Sequence, residues 1–352
     1  MNDETAIIRR DEQPLALAGQ AADRAAARGV FAAYQADLAK NTLRSQRADL
    51  VLLARYQASA GILPAYPEER VERQEWEERH AAPFWSTPEA WRGMTWGLVA
   101  GFKVWLSQEG HAVASINRAL ATLRRYAELA RQAGAIDADA LQLIRTVKGY
   151  RNARKVDEKR ETSRVGHKKA HNVSISPEAA HKLKSQPEMP QGARDGLLMA
   201  LLLDHGLRVS EVALLQWKDI DAEGQHLTFF RPKVDKTQVL RLSPATRRAL
   251  ERWRQYVTFY EGPLLRAVNK GGQVLDHGMT TSAIAQRVRQ LGAAAGLAGL
   301  SPHDCRHYWA TVLTRKGTSI KALQDAGGWS SPAMPLRYAE SARIANEGAE
   351  VD

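Results

Sequence analysis

The N-terminal half of the chain repeats apolar residues with the spacing of amphipathic helices. Between about residues 31 and 135, four stretches place apolar side chains three or four positions apart, the interval that lines one face of a helix. The clearest of these stretches contains Trp96, Val99, Phe102 and Leu106. None of them alternates residue by residue, as a half-buried strand does. The pattern therefore predicts an all-helical domain over residues 31–143.

Capping residues predict where two of these helices begin. The segment from Ser86 to Glu89 combines a capping-box pattern with a proline near the first helical position, so it predicts a helix that runs to Gly110. Ser115 predicts the start of the next one. Residues 1–30 are rich in Ala, Gln and Arg, and are predicted to form a flexible N-terminal segment.

The C-terminal half mixes helical and strand patterns. Two short stretches, 226–233 and 238–243, predict an antiparallel hairpin. Helical stretches surround this hairpin: 192–203, 244–257 and 280–295. Residues 173–352 are therefore predicted to form an α+β domain with a small antiparallel sheet, and the fold class of the whole chain is predicted to be mainly α.

Helix signals near the C-terminus bring two polar residues together. Ser301 caps a helix and Pro302 takes its first position, so His303 and Arg306 lie one turn apart on the same face. A helix N-terminus of this kind favours an anion. The pair alone indicates little, because His and Arg three positions apart occur by chance in many basic chains.

Positive charge is concentrated between the two halves. The chain has 352 residues, with 50 Lys and Arg against 39 Asp and Glu, a net charge of +11. Residues 144–171 hold ten of the basic residues and only three acids, without helical periodicity, which predicts a basic linker over 144–172. This linker is either a solvated connector or a strap along a phosphate backbone. The net charge likewise suits either nucleic-acid binding or a solubilising surface.

The composition excludes several classes of protein. A hydrophobic content of 44% excludes a disordered chain. The single cysteine, Cys305, excludes a disulfide framework and a cysteine-based zinc site. No apolar run reaches the ~20 residues that span a membrane. We therefore expect a soluble, cytoplasmic protein without a membrane partner.

A set of polar residues follows a recognisable order over 131 positions of the C-terminal half: Arg208 in HGLRVSE, Lys233, His303, Arg306, Trp329 after Gly-Gly, and Tyr338. This order resembles the catalytic domain of the tyrosine recombinase (phage integrase) family, over about residues 173–342. Trp329 stands where most members have His, which is similar to the Cre-like members with two domains. The resemblance implies that residues 31–143 are the family's helical, DNA-clamping core-binding domain.

The resemblance implies a transesterification in which Tyr338 is the nucleophile and leaves a 3′-phosphotyrosyl bond. Two guanidinium groups, Arg208 and Arg306, would bind the non-bridging phosphate oxygens through paired hydrogen bonds. They would also favour the phenolate form of the tyrosine. His303 would hydrogen-bond the phosphate or take the proton from the nucleophile.

Supporting roles follow from the same resemblance. Trp329 can only donate a hydrogen bond, so it suits a phosphate oxygen. Lys233 would protonate the leaving 5′ oxygen, with Lys236 as the alternative. Glu211 would orient an arginine. His307 is expected to pack or form a buried hydrogen bond.

The implied partners are double-stranded DNA sites, on which four copies of the chain would assemble as a homotetramer and exchange strands through a Holliday junction. No metal and no other cofactor is expected, because the covalent link conserves the phosphodiester energy. Basic residues in both the helical domain and the linker are candidates for DNA binding: Arg118, Arg124, Arg125, Arg151, Arg154, Lys155, Lys168 and Lys169.

Two other functions use the same scaffold. A type IB topoisomerase shares the catalytic residues and would relax supercoils as a monomer, although Trp329 and the helical N-terminal half argue against it. A non-catalytic DNA-binding regulator would have no use for Tyr338. The first hypothesis is therefore a site-specific recombinase, with these two functions as alternatives.

Overall fold

The computed structural model describes residues 14–151, 173–231, 234–258 and 260–342. Its contacts divide the chain into two units, residues 1–168 and 169–352. The division falls inside the predicted linker, of which positions 152–172 lie outside the described residues. No helix in the described ranges combines the length and apolar character needed to cross a membrane.

The described part of the N-terminal unit is helical. Two short turns of other helix types, Glu77–Ala81 (π) and Pro88–Trp91 (3₁₀), interrupt its α-helices. The α-helices are α1 (Pro14–Ala36), α2 (Lys40–Ser59), α3 (Arg70–Trp76), α4 (Pro83–Ser86), α5 (Trp96–Gln108), α6 (Val113–Gln132) and α7 (Ala138–Thr146). Because α6 is amphipathic, its apolar face supplies a large share of the core, including Leu120, Leu123 and Tyr126.

Two boundaries in this unit differ from the sequence prediction. Helix α1 starts at Pro14, so residues 14–30 of the predicted flexible segment are helical, and Phe31 on the same helix is only 2% exposed. The predicted helix start at Ser86 is wrong, because Gly93 adopts a positive φ of 79° that ends the preceding 3₁₀ turn. Helix α5 begins afterwards, where the Thr95 hydroxyl accepts a hydrogen bond from the Leu98 amide.

The C-terminal unit is α+β, as predicted. Strands β1 (His226–Arg231) and β2 (Lys236–Arg241) form the predicted antiparallel hairpin, with Arg231 opposite Lys236. A second hairpin, which the sequence analysis missed, pairs β3 (Arg266–Val268) with β4 (Val274–Gly278). The helices are α8 (Pro177–Lys184), α9 (Pro190–His205), α10 (Val209–Leu214), α11 (Pro244–Arg254), α12 (Thr281–Ala294), α13 (Pro302–Arg315), α14 (Ile320–Gly327) and α15 (Ala333–Ala342).

Helix α9 is the centre of this unit and leads into the site. It is buried on every side from Gly192 to Leu203, as expected of a helix without a polar face. Gly206 ends it in the left-handed conformation, with a φ of 60°. A Cβ at this position would overlap the Trp309 ring of α13, so only glycine fits both the turn and the packing.

Candidate active site

Arg208 and Glu211 form the first part of the site, at the start of α10. Arg208 is the N-cap residue of this helix, and its backbone amide donates to Glu211 Oε2 at 2.8 Å. The Arg208 guanidinium donates to Glu211 Oε1 at 2.7 Å and to the carbonyl of Gly328 at 3.0 Å. Glu211 therefore orients the Arg208 side chain, and its supporting role in catalysis stays a prediction.

Arg306 reaches the same place from α13. Ser301 and Asp304 form a capping box at the start of this helix, which fixes its first turn. The Arg306 guanidinium donates to the carbonyls of Gly206 and Gly327. Burial and then the neighbouring Arg208 lower the pKa of Arg306 to about 9.

Tyr338 lies inside this cluster and is only 1% exposed. Its ring centroid is 5.6 Å from that of Trp329, whose ring also lies 4.3 Å below the guanidinium carbon of Arg306. Burial raises the pKa of Tyr338, and the charges of Arg306, Arg337 and Arg208 oppose this effect. The guanidinium groups favour the phenolate, as expected, but burial has the larger effect on the pKa.

Two histidines on α13 connect the surface to the tyrosine. The rings of His303 and His307 are 4.8 Å apart and nearly perpendicular. The His307 ring is also 4.8 Å from the Tyr338 ring. His303 is exposed, whereas His307 is partly buried. This burial lowers the pKa of His307. The sequence analysis expected His307 to pack or form a buried hydrogen bond, and its ring packs against that of Tyr338. His303 and His307 are neighbours because residues four apart share a helix face.

Arg231 is the site residue that the sequence analysis missed. It ends β1 and its side chain is completely buried, with hydrogen bonds to Glu211 and to the last carbonyls of α14. A buried guanidinium on a strand has no characteristic sequence spacing. The only available signal was an arginine at an inward-facing position of the alternating stretch.

The two candidate general acids are on the same hairpin. Lys233 lies outside the described residues, so its predicted role stays a prediction. Lys236 is described, and its exposed side chain starts β2 opposite Arg231.

The basic residues proposed for DNA binding are partly engaged by the protein itself. Arg118 pairs with buried Asp49 at 2.8 Å, although half of its side chain remains exposed. Arg124 donates to a backbone carbonyl of its own helix. Arg125 lies over the Tyr34 ring, and Arg151 is exposed. The other four candidates lie outside the described residues: Arg154, Lys155, Lys168 and Lys169.

Part of the chain is similar to known proteins. Residues 174–343 match the model of the Phage integrase family. Tyrosine recombinase XerD of Neisseria meningitidis is 27% identical over 179 residues, which cover 49% of this chain and 60% of that relative. Tyrosine recombinase XerD of Listeria monocytogenes is 25% identical over 244 residues, which cover 65% of this chain and 72% of the relative.

Solved structures have a similar fold. A lambda integrase dimer bound to a COC′ core site has a TM-score of 0.58 at 16% identity, covering 98% of this chain and 84% of that one. The Tn1549 transposon integrase in complex with transposon right end DNA also reaches 0.58 at 16% identity, covering 89% and 94% of the two chains. Residues 174–343 of the chain therefore match the Phage integrase family, and the relatives that the chain resembles are tyrosine recombinases.

Proposed function

We propose that this protein is a site-specific DNA recombinase that cuts and rejoins strands through Tyr338. The observation that carries the proposal is that Tyr338 lies in one cluster with Arg306, Trp329 and His307, and close enough to Arg208 for its charge to lower the tyrosine pKa. Arg306 and His307 lie on α13, Trp329 follows α14, Tyr338 lies on α15 and Arg208 caps α10. Their convergence on a phenol supports attack by that phenol on an anionic substrate.

The charge of the cluster suits a phosphodiester. Arg208, Arg231 and Arg306 carry three positive charges, and Glu211 supplies one negative charge within the group, which leaves +2. The transition state of phosphodiester cleavage places extra negative charge on two non-bridging oxygens. Arg208 and Arg306 can each donate two parallel hydrogen bonds to such oxygens.

The proposed cleavage step needs no reactant other than the protein and the DNA. Tyr338 Oη attacks phosphorus and forms the 3′-phosphotyrosyl bond, while the bond to the 5′ oxygen breaks. The phenol proton passes to His303, or to the phosphate itself, and Lys233 supplies a proton to the leaving 5′ oxygen. Religation reverses these transfers with the 5′-hydroxyl of a second strand.

Access to the phenol requires movement of α15. Tyr338 is 1% exposed, and two donors of Arg306 already bind the carbonyls of Gly206 and Gly327. A DNA phosphate binds the remaining donors of Arg306 or replaces these carbonyl contacts, and α15 must shift for Oη to reach phosphorus. Phosphate binding also adds the arginine hydrogen bonds that the transition state needs.

The wider reaction follows from the family and its relatives. One solved structure with the same fold, a lambda integrase tetramer, is bound to a Holliday junction, with a TM-score of 0.53 at 15% identity. By analogy, four copies of this chain bind two double-stranded DNA sites and exchange one strand pair at a time. The helical N-terminal unit clamps the DNA.

The test uses nicked duplexes from DNA that flanks the gene of this protein, followed by denaturing gels. A nick lets the short cleaved end diffuse away, so the covalent complex accumulates. Wild-type protein is expected to give a shifted band that Tyr338→Phe abolishes. Tyr308→Phe is the matched control, because Tyr308 is a partly buried tyrosine of α13 outside the proposed chemistry.

Other outcomes would contradict the role of Tyr338 or support one of the two alternative functions. A shifted band that persists in Tyr338→Phe would disprove the assignment of the nucleophile. Relaxation of supercoiled plasmid without a recombinant product would indicate topoisomerase-like activity. Site-specific binding of wild-type protein without any covalent band would indicate a DNA-binding regulator.

A further inference from the structure

Arg231 joins three elements at the back of the site. Its Nη1 donates to both carboxylate oxygens of Glu211, at 2.9 and 3.0 Å, and to the Gly327 carbonyl at 3.2 Å. Its Nη2 donates to the Ala326 carbonyl at 2.8 Å. The end of β1 is therefore held to α10 and to the C-terminus of α14.

Burial distinguishes Arg231 from Arg208. Its side chain is 0% exposed, whereas that of Arg208 is 20% exposed. Both guanidinium groups donate to the same Glu211 oxygen, Oε1, so the carboxylate lies between an outer and an inner arginine. A DNA phosphate can reach the outer one, and the inner one acts on the substrate only through the groups that it holds.

All three arginines of the cluster donate hydrogen bonds to carbonyls at the C-terminal end of α14. The last carbonyls of a helix carry partial negative charge, which favours cations there. Arg231 and Arg306 donate to the same carbonyl, that of Gly327, and Arg208 donates to that of Gly328. A shift of this helix end would therefore displace both phosphate-binding arginines together.

The turn that follows α14 is packed directly on Arg231. Gly328 has a φ of 59°, and a Cβ there would lie 2.6 Å from Cδ of Arg231. Trp329 comes next and lies below Arg306. The stem of Arg231 thus sets how closely the turn approaches β1, and the turn sets where Trp329 lies.

From these contacts we propose that Arg231 is a positioning residue for strand cleavage, which holds Glu211 and the end of α14 so that Arg208 and Arg306 meet the phosphate in the reactive geometry. The proposal rests on the proposed function. A misplacement of about 1 Å can cost ~10²-fold in rate. Loss of Arg231 is therefore expected to slow cleavage by roughly 10- to 100-fold without a comparable loss of DNA affinity.

Two variants and one matched control test this role. Arg231→Met removes the charge and the fork of donors, and Arg231→Lys keeps the charge without the fork. Cleavage of a saturated nicked duplex is followed in a single turnover, so the rate constant refers to the bound, folded protein. We expect Arg231→Lys to lie between Arg231→Met and wild type. Arg194→Met is the control, because Arg194 is equally buried and paired with Asp195, and we expect its rate constant to be unchanged.

A double-mutant cycle with Glu211→Gln tests the route of the effect. If Arg231 acts through Glu211, the double variant Arg231→Met/Glu211→Gln cleaves about as slowly as the slower single variant. Both substitutions then remove the same interaction, so their effects on the rate do not multiply. Multiplication of the two effects would overturn that route. Near-wild-type cleavage by both Arg231 variants would overturn the positioning role while leaving Tyr338 chemistry intact. Failure of wild-type protein to form the Tyr338 adduct would instead overturn the proposed function itself.

Discussion

At the residue scale, the surroundings of Tyr338 act on its pKa in opposite directions. Burial raises the pKa, and three arginines lower it by a smaller amount. Burial therefore opposes ionisation of the phenol in the free protein. In the proposed reaction the phenol must lose its proton during the chemical step, so the proton acceptor and the leaving-group acid are expected to affect the rate.

The identity of that acid can be tested on the β1–β2 hairpin. Lys233→Ala is expected to slow cleavage of an intact strand, because the 5′ oxygen leaves poorly without a proton. The same variant is expected to cleave normally when a bridging sulfur replaces that oxygen, since a thiolate leaves without protonation. Single-turnover rates on the two substrates give the comparison. If Lys236→Ala shows this pattern and Lys233→Ala does not, Lys236 is the acid.

His205, at the end of α9, gives a prediction about stability and pH. Burial lowers its pKa from 6.5 to about 4, and its Nε2 lies 3.0 Å from the Thr246 hydroxyl. Between these pKa values the unfolded chain binds a proton that the folded chain does not. The contribution of neutral His205 to the free energy of unfolding is therefore complete above pH 6.5, and it declines as the pH falls towards 4.

Between pH 7 and pH 5, this group alone is expected to remove on the order of 2 kcal/mol of unfolding free energy. Urea unfolding of wild type and His205→Gln at both pH values measures the difference, and the titration of other groups cancels between the two proteins. An equal loss in both proteins would contradict the assignment.

At the element scale, the C-terminus of α14 is the point where the arginines, the turn and Trp329 meet. Gly328→Ala places a methyl group against Arg231 and forces a left-handed conformation on a residue with a Cβ. We expect lower stability together with slower cleavage. Gly317→Ala is the matched control, because Gly317 has a φ of 78° at the end of α13 but nothing within 4 Å of a new Cβ.

The control variant is expected to lose about 1 kcal/mol of stability from backbone strain and to cleave DNA at the wild-type rate. Thermal unfolding and single-turnover cleavage measure the two effects separately. Equal cleavage rates for the two variants would show that the packing of this turn on Arg231 has no part in the chemistry.

Local signals predicted much of the fold at this scale. Ser301 caps the helix that its sequence position indicated, and Thr280 caps the helix in the predicted stretch 280–295, because a cap acts through neighbouring amides. The predicted helix start at Ser86 failed for a tertiary reason. Trp91 is completely buried and Gly93 turns the chain, so packing interrupts a continuous helical pattern.

The site was predictable only where function fixes the order of residues. Arg208, Arg306 and Tyr338 were found through that order, and the structure brings them together. Arg231 and His307 have no comparable signal, because their roles depend on contacts with distant segments. The Gly327 carbonyl, which binds two arginines, cannot be recognised from side chains at all.

At the scale of the whole molecule, the basic linker between the two units gives a salt-dependent prediction. When Lys or Arg neutralises a DNA phosphate, counterions are released. Each such contact makes the slope of log affinity against log salt concentration steeper by about 0.9. We expect the combined replacement of Arg154, Lys155, Lys168 and Lys169 by Gln to reduce that slope by up to about 3.6. Fluorescence anisotropy across a salt series measures it, and an unchanged slope would identify the linker as a solvated connector.

The most direct test of the central claim is to locate the DNA on the protein. The covalent complex formed on a nicked duplex is digested with nuclease and trypsin, and the modified peptide is sequenced by mass spectrometry. Trypsin cuts after Arg337 and Arg343, so the account predicts a 3′-linked nucleotide on the peptide 338–343, at Tyr338. A nucleotide on any other of the nine tyrosines, or on a different residue type, would contradict it.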